Sequence, residues 1–186
     1  MPMSRTAVLL VSLAISGCAG LPKGATPVEV GIDGIACVGK IAEPNAGLAE
    51  TGNPALLTKA QYATDKGGVC SGKVFSVTAP VVLYRVYDAS KPYSKFGGWW
   101  TLKRPSGTRE DYRAANAICK EWSALDRLVS CEVRPGTEVV IGTTQSALCS
   151  DGSVYPKTAE NQVFVANDTR IGILHVGACG EDAAWP

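Results

Sequence analysis

Four polar residues in the second half of the chain have types and positions that could serve chemistry. Arg85 lies inside the apolar run 81–88, and Arg113 lies at the border of the apolar face of a helix predicted to follow Thr108. Glu160 and Gln162 are two residues apart in a strand-like run, so their side chains share one face. A guanidinium in an apolar strand requires an anion, which either an internal carboxylate or a ligand in a cleft supplies. The arginines are therefore candidates for binding an anionic ligand, with an ion pair as the structural alternative for Arg85 and solvent exposure for Arg113.

Two consecutive tryptophans lie between these arginines. Trp99 and Trp100 follow Gly97 and Gly98, which allow the backbone to turn tightly and present two large rings. Such rings serve either as core or lid packing or as a stacking surface for a planar ligand. Both interpretations stay open from the sequence.

The elements that must position these residues are short. Residues 81–88 predict a buried strand, and the capping box Thr108 to Asp111 predicts a helix that runs to about Lys120. Further strands are expected at 128–133, 138–142, 162–166 and 171–176, and a short helix at 54–63. Strands and helices do not alternate, and the chain contains 20 glycines and 11 prolines. We therefore expect an α+β, β-rich fold, a single compact domain of short mixed strands with one or two short helices, cross-linked by disulfides.

The N-terminus has the pattern of an export signal. One positive charge at Arg5 precedes an apolar run at 6–15, which is too short to span a membrane. The residues Ile15, Ser16, Gly17 and Cys18 then resemble the lipobox of bacterial lipoproteins, and Ala19 is typical of sorting to the outer membrane in that class. The resemblance implies a signal peptide at 1–17 and a membrane anchor through lipidated Cys18. A plain secretory signal is the alternative.

The rest of the chain has the length of one domain. We interpret residues 18–34 as a tether, 35–79 as a disulfide-linked N-terminal cap and 80–186 as the main domain. The formal net charge of +1 provides no long-range field that would attract nucleic acid, so no nucleic-acid partner is expected.

Seven cysteines minus the lipidated Cys18 leave six, an even set in an exported chain. These six are expected to form three disulfides: Cys37, Cys70, Cys119, Cys131, Cys149 and Cys179. The short spacing of Cys119 and Cys131 favours that pair, and the simplest completion joins Cys37 to Cys70 and Cys149 to Cys179. The spacings do not match a zinc site and His175 is the sole histidine, so no metal is expected.

Several short motifs together resemble the ADP-ribosyltransferase-like superfamily, and in particular its NAD glycohydrolase branch of the tuberculosis necrotizing toxin type. The motifs are Tyr84-Arg85-Val86-Tyr87-Asp88, Gly98-Trp99-Trp100-Thr101 with Pro105, Tyr112-Arg113, Pro135-Gly136-Thr137 and Asn161-Gln162-Val163-Phe164-Val165. The family's glycine-rich approach to its glutamine is absent, and Thr158-Ala159-Glu160-Asn161 stands there instead.

The resemblance implies that NAD is a substrate rather than a tightly bound cofactor. It implies that Arg85 and Arg113 hold the dinucleotide, that Trp99 or Trp100 stacks on it, and that Gln162 lies by the ribose as the catalytic amide. A glutamine cannot accept a proton, which favours hydrolysis, whereas Glu160 leaves transfer to a target conceivable.

A non-catalytic envelope lipoprotein is the competing interpretation. A binding, assembly, exclusion or immunity module would explain the signal, the cysteines and the neutral charge through a protein partner, without a catalytic site. The position of Arg85, Arg113 and Gln162 relative to one cleft separates the two hypotheses.

Overall fold

The computed structural model describes residues 28–186, with Pro92 described in its backbone alone. The signal peptide, Cys18 and most of the tether lie outside the described residues. No helix in the described part is both long and apolar enough to cross a membrane.

The described chain contains eleven strands and two α-helices. The strands are β1 (Leu48–Thr51), β2 (Val69–Val77), β3 (Val81–Tyr87), β4 (Trp99–Trp100), β5 (Arg127–Val133), β6 (Glu138–Thr144), β7 (Ala147–Leu148), β8 (Val154–Tyr155), β9 (Thr158–Val165), β10 (Val176–Gly177) and β11 (Ala183–Ala184). The helices are α1 (Pro54–Gln61) and α2 (Arg109–Asn116), and 3-10 turns occupy Pro92–Phe96, Lys120–Trp122 and Thr169–Ile171.

Two antiparallel sheets form the body of the domain. The larger sheet has the strand order β1-β2-β6-β9-β4, so the segment 35–79 supplies two of its strands together with α1. In the smaller sheet β3 pairs with one edge of β5 over its whole length, and β10 and β11 pair with the other edge. An isolated bridge between Tyr84 and Thr101 joins the two sheets beside β4. The α+β, β-rich domain expected from the sequence is confirmed.

The main core lies between the two sheets. Alternate residues of the long strands point into it, as the pleat requires. The larger sheet contributes Phe75, Val77, Trp100, Val139, Ile141, Val163 and Val165, and the smaller one Val81, Leu83, Tyr87, Val129, Cys131, Val133 and Val176. Each such aliphatic side chain stabilises the fold by roughly 1.5–3 kcal/mol relative to an exposed one.

The outer face of the larger sheet is covered by α1, which explains why β6 is apolar on both faces. Ala60 of α1 packs with Val69, Val140 and Phe164. The helix begins as predicted with Pro54 at its first turn, and Asn53 caps it by accepting a hydrogen bond from the Leu56 amide at 3.0 Å.

The six expected cysteines form three disulfides, but two of the expected pairs were wrong. The pairs are Cys37–Cys70, which was predicted, and Cys119–Cys149 and Cys131–Cys179, which were not. Cys131 lies on β5 and points into the main core, whereas Cys119 packs in a separate cluster with Cys149. Side-chain direction on β5, and not sequence spacing, therefore decides the pairing.

Two elements differ from their prediction, one in length and one in type. The helix expected to reach Lys120 ends at Asn116, because Ala117 adopts the left-handed conformation at φ 48°. The strand expected at 171–176 is replaced by a 3-10 turn followed by the two-residue β10.

Candidate functional site

A cleft of about 280 Å³ lies where three elements meet: the segment 101–106 after β4, the helix α2, and the first half of β9. The residues that line it are Thr101, Lys103, Arg104, Pro105, Ser106, Asp111, Tyr112, Ala115, Asn116 and Glu160. Two of these elements carry candidate residues from the sequence: Arg113 on α2, and Glu160 and Gln162 on β9. Of the candidate residues themselves, only Glu160 lines the cleft.

The wall formed by α2 is fixed at its first turn. The Thr108 hydroxyl accepts from the Asp111 amide at 3.1 Å, and the Asp111 carboxylate accepts from the Thr108 amide at 3.0 Å, which is the predicted capping box. Hydrogen bonds from Thr108 lower the pKa of Asp111, so this carboxylate stays charged beside the cleft. Arg109 donates to the Trp185 carbonyl at 2.9 Å and holds the C-terminal tail against the helix.

Gln162 lies behind the cleft and ties its walls together. Its side-chain amide is buried and donates to the Thr144 hydroxyl at 3.0 Å and to the Asn116 carbonyl at 3.3 Å. It thereby joins the C-terminal end of α2 to β6 and β9. A second tie comes from the Thr158 hydroxyl, which donates to the Ala115 carbonyl.

Arg113 is buried and does not line the cleft. Its guanidinium donates to the carbonyls of Cys119 at 3.2 Å and Ser123 at 2.6 Å, and its Nε lies 3.5 Å from the Glu110 carboxylate. These contacts hold the segment that follows α2. The arginine thus serves as a structural clamp on two backbone carbonyls of this segment, of which that of Cys119 also accepts from the Trp122 amide at 3.0 Å.

Arg85 is a second clamp of the same kind. It points from β3 to the edge of the main core, where it donates to the carbonyls of Ser94, at 2.7 Å, and Trp99. The guanidinium also lies 6.0 Å from the centre of the Trp100 ring. Burial lowers the pKa of Arg85 to about 10, so the side chain remains charged at neutral pH.

The two tryptophans point to opposite sides of the larger sheet. Trp100 is buried in the main core, and its indole N–H donates to the Gly97 carbonyl at 2.8 Å. Trp99 packs against Phe164 on the other face, with 5.0 Å between ring centres. Neither ring lines the cleft.

The ionisable residues that line the cleft are two cations, two carboxylic acids and a tyrosine: Lys103, Arg104, Asp111, Glu160 and Tyr112. Lys103 and Arg104 are exposed on the lip formed by the segment 101–106, and Glu160 of β9 is exposed as well. Burial raises the pKa of Tyr112 to about 12, so its hydroxyl stays protonated at neutral pH and can donate but cannot act as a base. Lys103 and Arg104 are not among the site residues predicted from the sequence, although two successive cations directly before Pro105 were the available signal.

A larger groove of about 450 Å³ lies between residues 28–44 and the strands β1 and β2. Glu50 and Lys73 on its wall already form an ion pair of 2.9 Å with each other. None of the candidate residues from the sequence lines it apart from Cys37, which is in a disulfide. We therefore take the smaller cleft as the candidate site.

One cluster has the composition of a metal site. Cys119, Glu121 and Cys149 lie close together, but the two cysteines are bonded to each other, so neither has a thiolate to offer. His175 is partly buried beside β10 and its backbone amide donates to Asn167. The Cys119 cluster therefore cannot bind a metal through thiolates while the disulfide is intact.

The close approach of the 92–98 turn to Arg85 yields a prediction. A methyl group at Gly97 would overlap the Arg85 guanidinium, which is held by two carbonyls, so Gly97→Ala is expected to lower the free energy of unfolding by about 1–3 kcal/mol. Gly52→Ala is the matched control, because no atom lies within 4 Å of the added methyl group. Denaturant unfolding of both variants checks this. Equal stability of the two would contradict the clamp.

Comparison with known proteins gives one structural likeness. No family model matches the sequence, and no curated protein matches it. The solved structure of Tne2 in complex with Tni2 is similar, with a TM-score of 0.47 and 14% sequence identity, over 66% of this chain and 97% of that chain.

Proposed function

We propose that this protein is an exported, lipid-anchored NAD glycohydrolase of the ADP-ribosyltransferase-like type, and that the cleft between the segment 101–106, α2 and β9 is its active site. The reaction breaks the bond between nicotinamide and the ribose C1′. The bonding electron pair leaves with nicotinamide, water adds to C1′, and the water proton is released to solvent.

One observation carries the proposal. Three of the segments that the resemblance connects with NAD reach a single cleft: Thr101 with Pro105, Tyr112 of α2, and Glu160 at the start of β9, whereas β3 and residues 135–137 do not line it. The cleft is lined by two cations and two carboxylates. These charges suit NAD cleavage, because the pyrophosphate is anionic while the ribose becomes cationic as the bond breaks.

The roles within the cleft differ from those implied by the sequence motifs. Lys103 and Arg104 bind the pyrophosphate, because they are the exposed cations that line the cleft. Glu160 stabilises the oxocarbenium-like transition state or orients the ribose hydroxyls. Gln162 is a positioning residue, since its amide holds the Asn116 end of α2 against β9.

The non-catalytic envelope lipoprotein remains a second candidate, and a specific observation favours it. Arg85 and Arg113 donate to backbone carbonyls and do not line the cleft. The fold thus uses the family's binding arginines as structural clamps. In a non-catalytic binding module, a structural role for the two arginines would be sufficient.

Kinetics of NAD cleavage test the enzyme. Glu160→Gln is expected to lower kcat by about 100-fold, because a preorganised charge facing the transition state is lost. The double variant Lys103→Ala with Arg104→Ala is expected to raise KM at least roughly tenfold, because charge-assisted contacts to phosphate are removed. Release of nicotinamide and ADP-ribose from purified protein, followed by chromatography, measures both.

Glu181→Gln is the control, because Glu181 is exposed and does not line the cleft. All variants change surface residues and are expected to unfold at the parent temperature. The enzyme hypothesis is contradicted if the oxidised parent protein releases no nicotinamide, or if Glu160→Gln is as active as the parent.

The lipid anchor is tested separately. Cys18→Ser removes the thiol that would carry the lipid, so the variant is expected in the soluble envelope fraction while the parent protein fractionates with membranes. Immunoblotting of cell fractions measures this. Membrane fractionation of Cys18→Ser would overturn lipidation at this residue.

A further inference from the structure

Residues 28–38 form an N-terminal hairpin with an unusual surface. Five large aliphatic side chains of this hairpin are 43–70% exposed: Val28, Val30, Ile32, Ile35 and Val38. Elsewhere in the described part of the chain the exposed large hydrophobic residues are scattered singly or in pairs. Such a concentration within eleven residues is typical of a surface that contacts a partner or a membrane.

Three of the five side chains share one face of the hairpin, and a fourth, Ile32, lies in its turn. Val30 pairs with Ala36, and the flanking backbone bonds run from the Gly31 amide to the Ile35 carbonyl and from the Cys37 amide to the Glu29 carbonyl. Directly opposed residues of an antiparallel pair lie on the same side, and alternate residues of one strand do so as well. The shared face therefore consists of Val28, Val30, Ala36 and Val38, with Ile32 exposed at the turn beside it.

The opposite face fixes the hairpin to the domain. Cys37 is bonded to Cys70 at the start of β2, and the Lys157 ammonium lies 2.8 Å from the Asp33 carboxylate and 2.7 Å from the Ile35 carbonyl. The hairpin is thus attached to the domain by a disulfide and by the Lys157 ammonium, while its aliphatic side chains stay exposed.

The charges around the hairpin are balanced. Glu29 and Asp33 are acidic, and Lys40 and Lys157 are basic. This balance gives no preference for an acidic or basic macromolecule, so the apolar side chains determine what the face binds. A lipid bilayer can bind such an apolar face without a complementary pattern of charges.

The length of chain before the hairpin places it close to a bilayer. Nine residues lie between Cys18 and Val28, and the ten residue steps from one to the other span at most about 33–36 Å when fully extended. If Cys18 is lipidated, the hairpin is the first described element after the anchor and lies within reach of the membrane surface.

We propose that the apolar face of the N-terminal hairpin inserts into the lipid surface to which Cys18 is anchored. The hairpin is then a second membrane contact, which fixes the orientation of the domain instead of leaving it on a free tether. This inference rests on the lipid anchor in the proposed function and is independent of NAD cleavage.

Depth-dependent fluorescence tests the insertion. Full chain carrying the lipid is reconstituted into phosphatidylcholine vesicles with and without brominated acyl chains, as the variant Ile32→Trp. Ile171→Trp is the matched control, because Ile171 is an exposed isoleucine on a distant 3-10 turn. We expect brominated chains to remove most of the fluorescence added in Ile32→Trp and little of that added in Ile171→Trp, with no change when phosphatidylglycerol is included.

Val30→Trp serves as a second hairpin variant if the Ile32→Trp protein does not form the three disulfides. Equal quenching in hairpin and control variants would overturn the proposal. So would quenching that depends on phosphatidylglycerol, because it would indicate an electrostatic contact. Mass spectrometry of the purified chain reads lipidation separately: a chain without lipid on Cys18 overturns the anchor, whereas a lipidated chain without quenching overturns only the insertion of the hairpin.

Discussion

The buried guanidinium of Arg85 is the constraint on which the arrangement around the cleft depends. A cation at the edge of an apolar core is stable only if its N–H groups have partners, and the fold provides the carbonyls of Ser94 and Trp99. To reach them, the 92–98 turn must pass so close to the guanidinium that only glycine fits at position 97. That turn sets β4, and β4 leads directly into the lip that carries Lys103 and Arg104.

The same principle organises the other walls. Arg113 holds the carbonyls after α2, and Gln162 joins the end of that helix to β6 and β9. Removal of either would leave buried polar groups unpaired, so loss of function in such variants would report loss of structure as readily as loss of a contact to a ligand. Exposed residues of the cleft, above all Glu160, are therefore the informative positions for mechanism.

Much of the fold could be predicted from local patterns, and less of the site. The β3 strand, the capping box at Thr108 and the proline at the start of α1 are encoded by neighbouring residues, and all three are confirmed. The pairing of Cys119 with Cys149 depends on which way β5 presents Cys131, which is decided by the packing of distant strands. Likewise, nothing near Arg85 or Arg113 in sequence indicates that backbone carbonyls, rather than a ligand, receive their hydrogen bonds.

We infer that the cleft binds a dinucleotide through its pyrophosphate. The decisive experiment is calorimetric titration of the oxidised protein with a non-hydrolysable NAD analogue, with ADP and adenosine as competitors. We expect saturable binding that ADP displaces and adenosine does not, and that is lost in the double variant Lys103→Ala with Arg104→Ala. Absence of binding to the folded parent protein, or binding that the double variant retains in full, would contradict it.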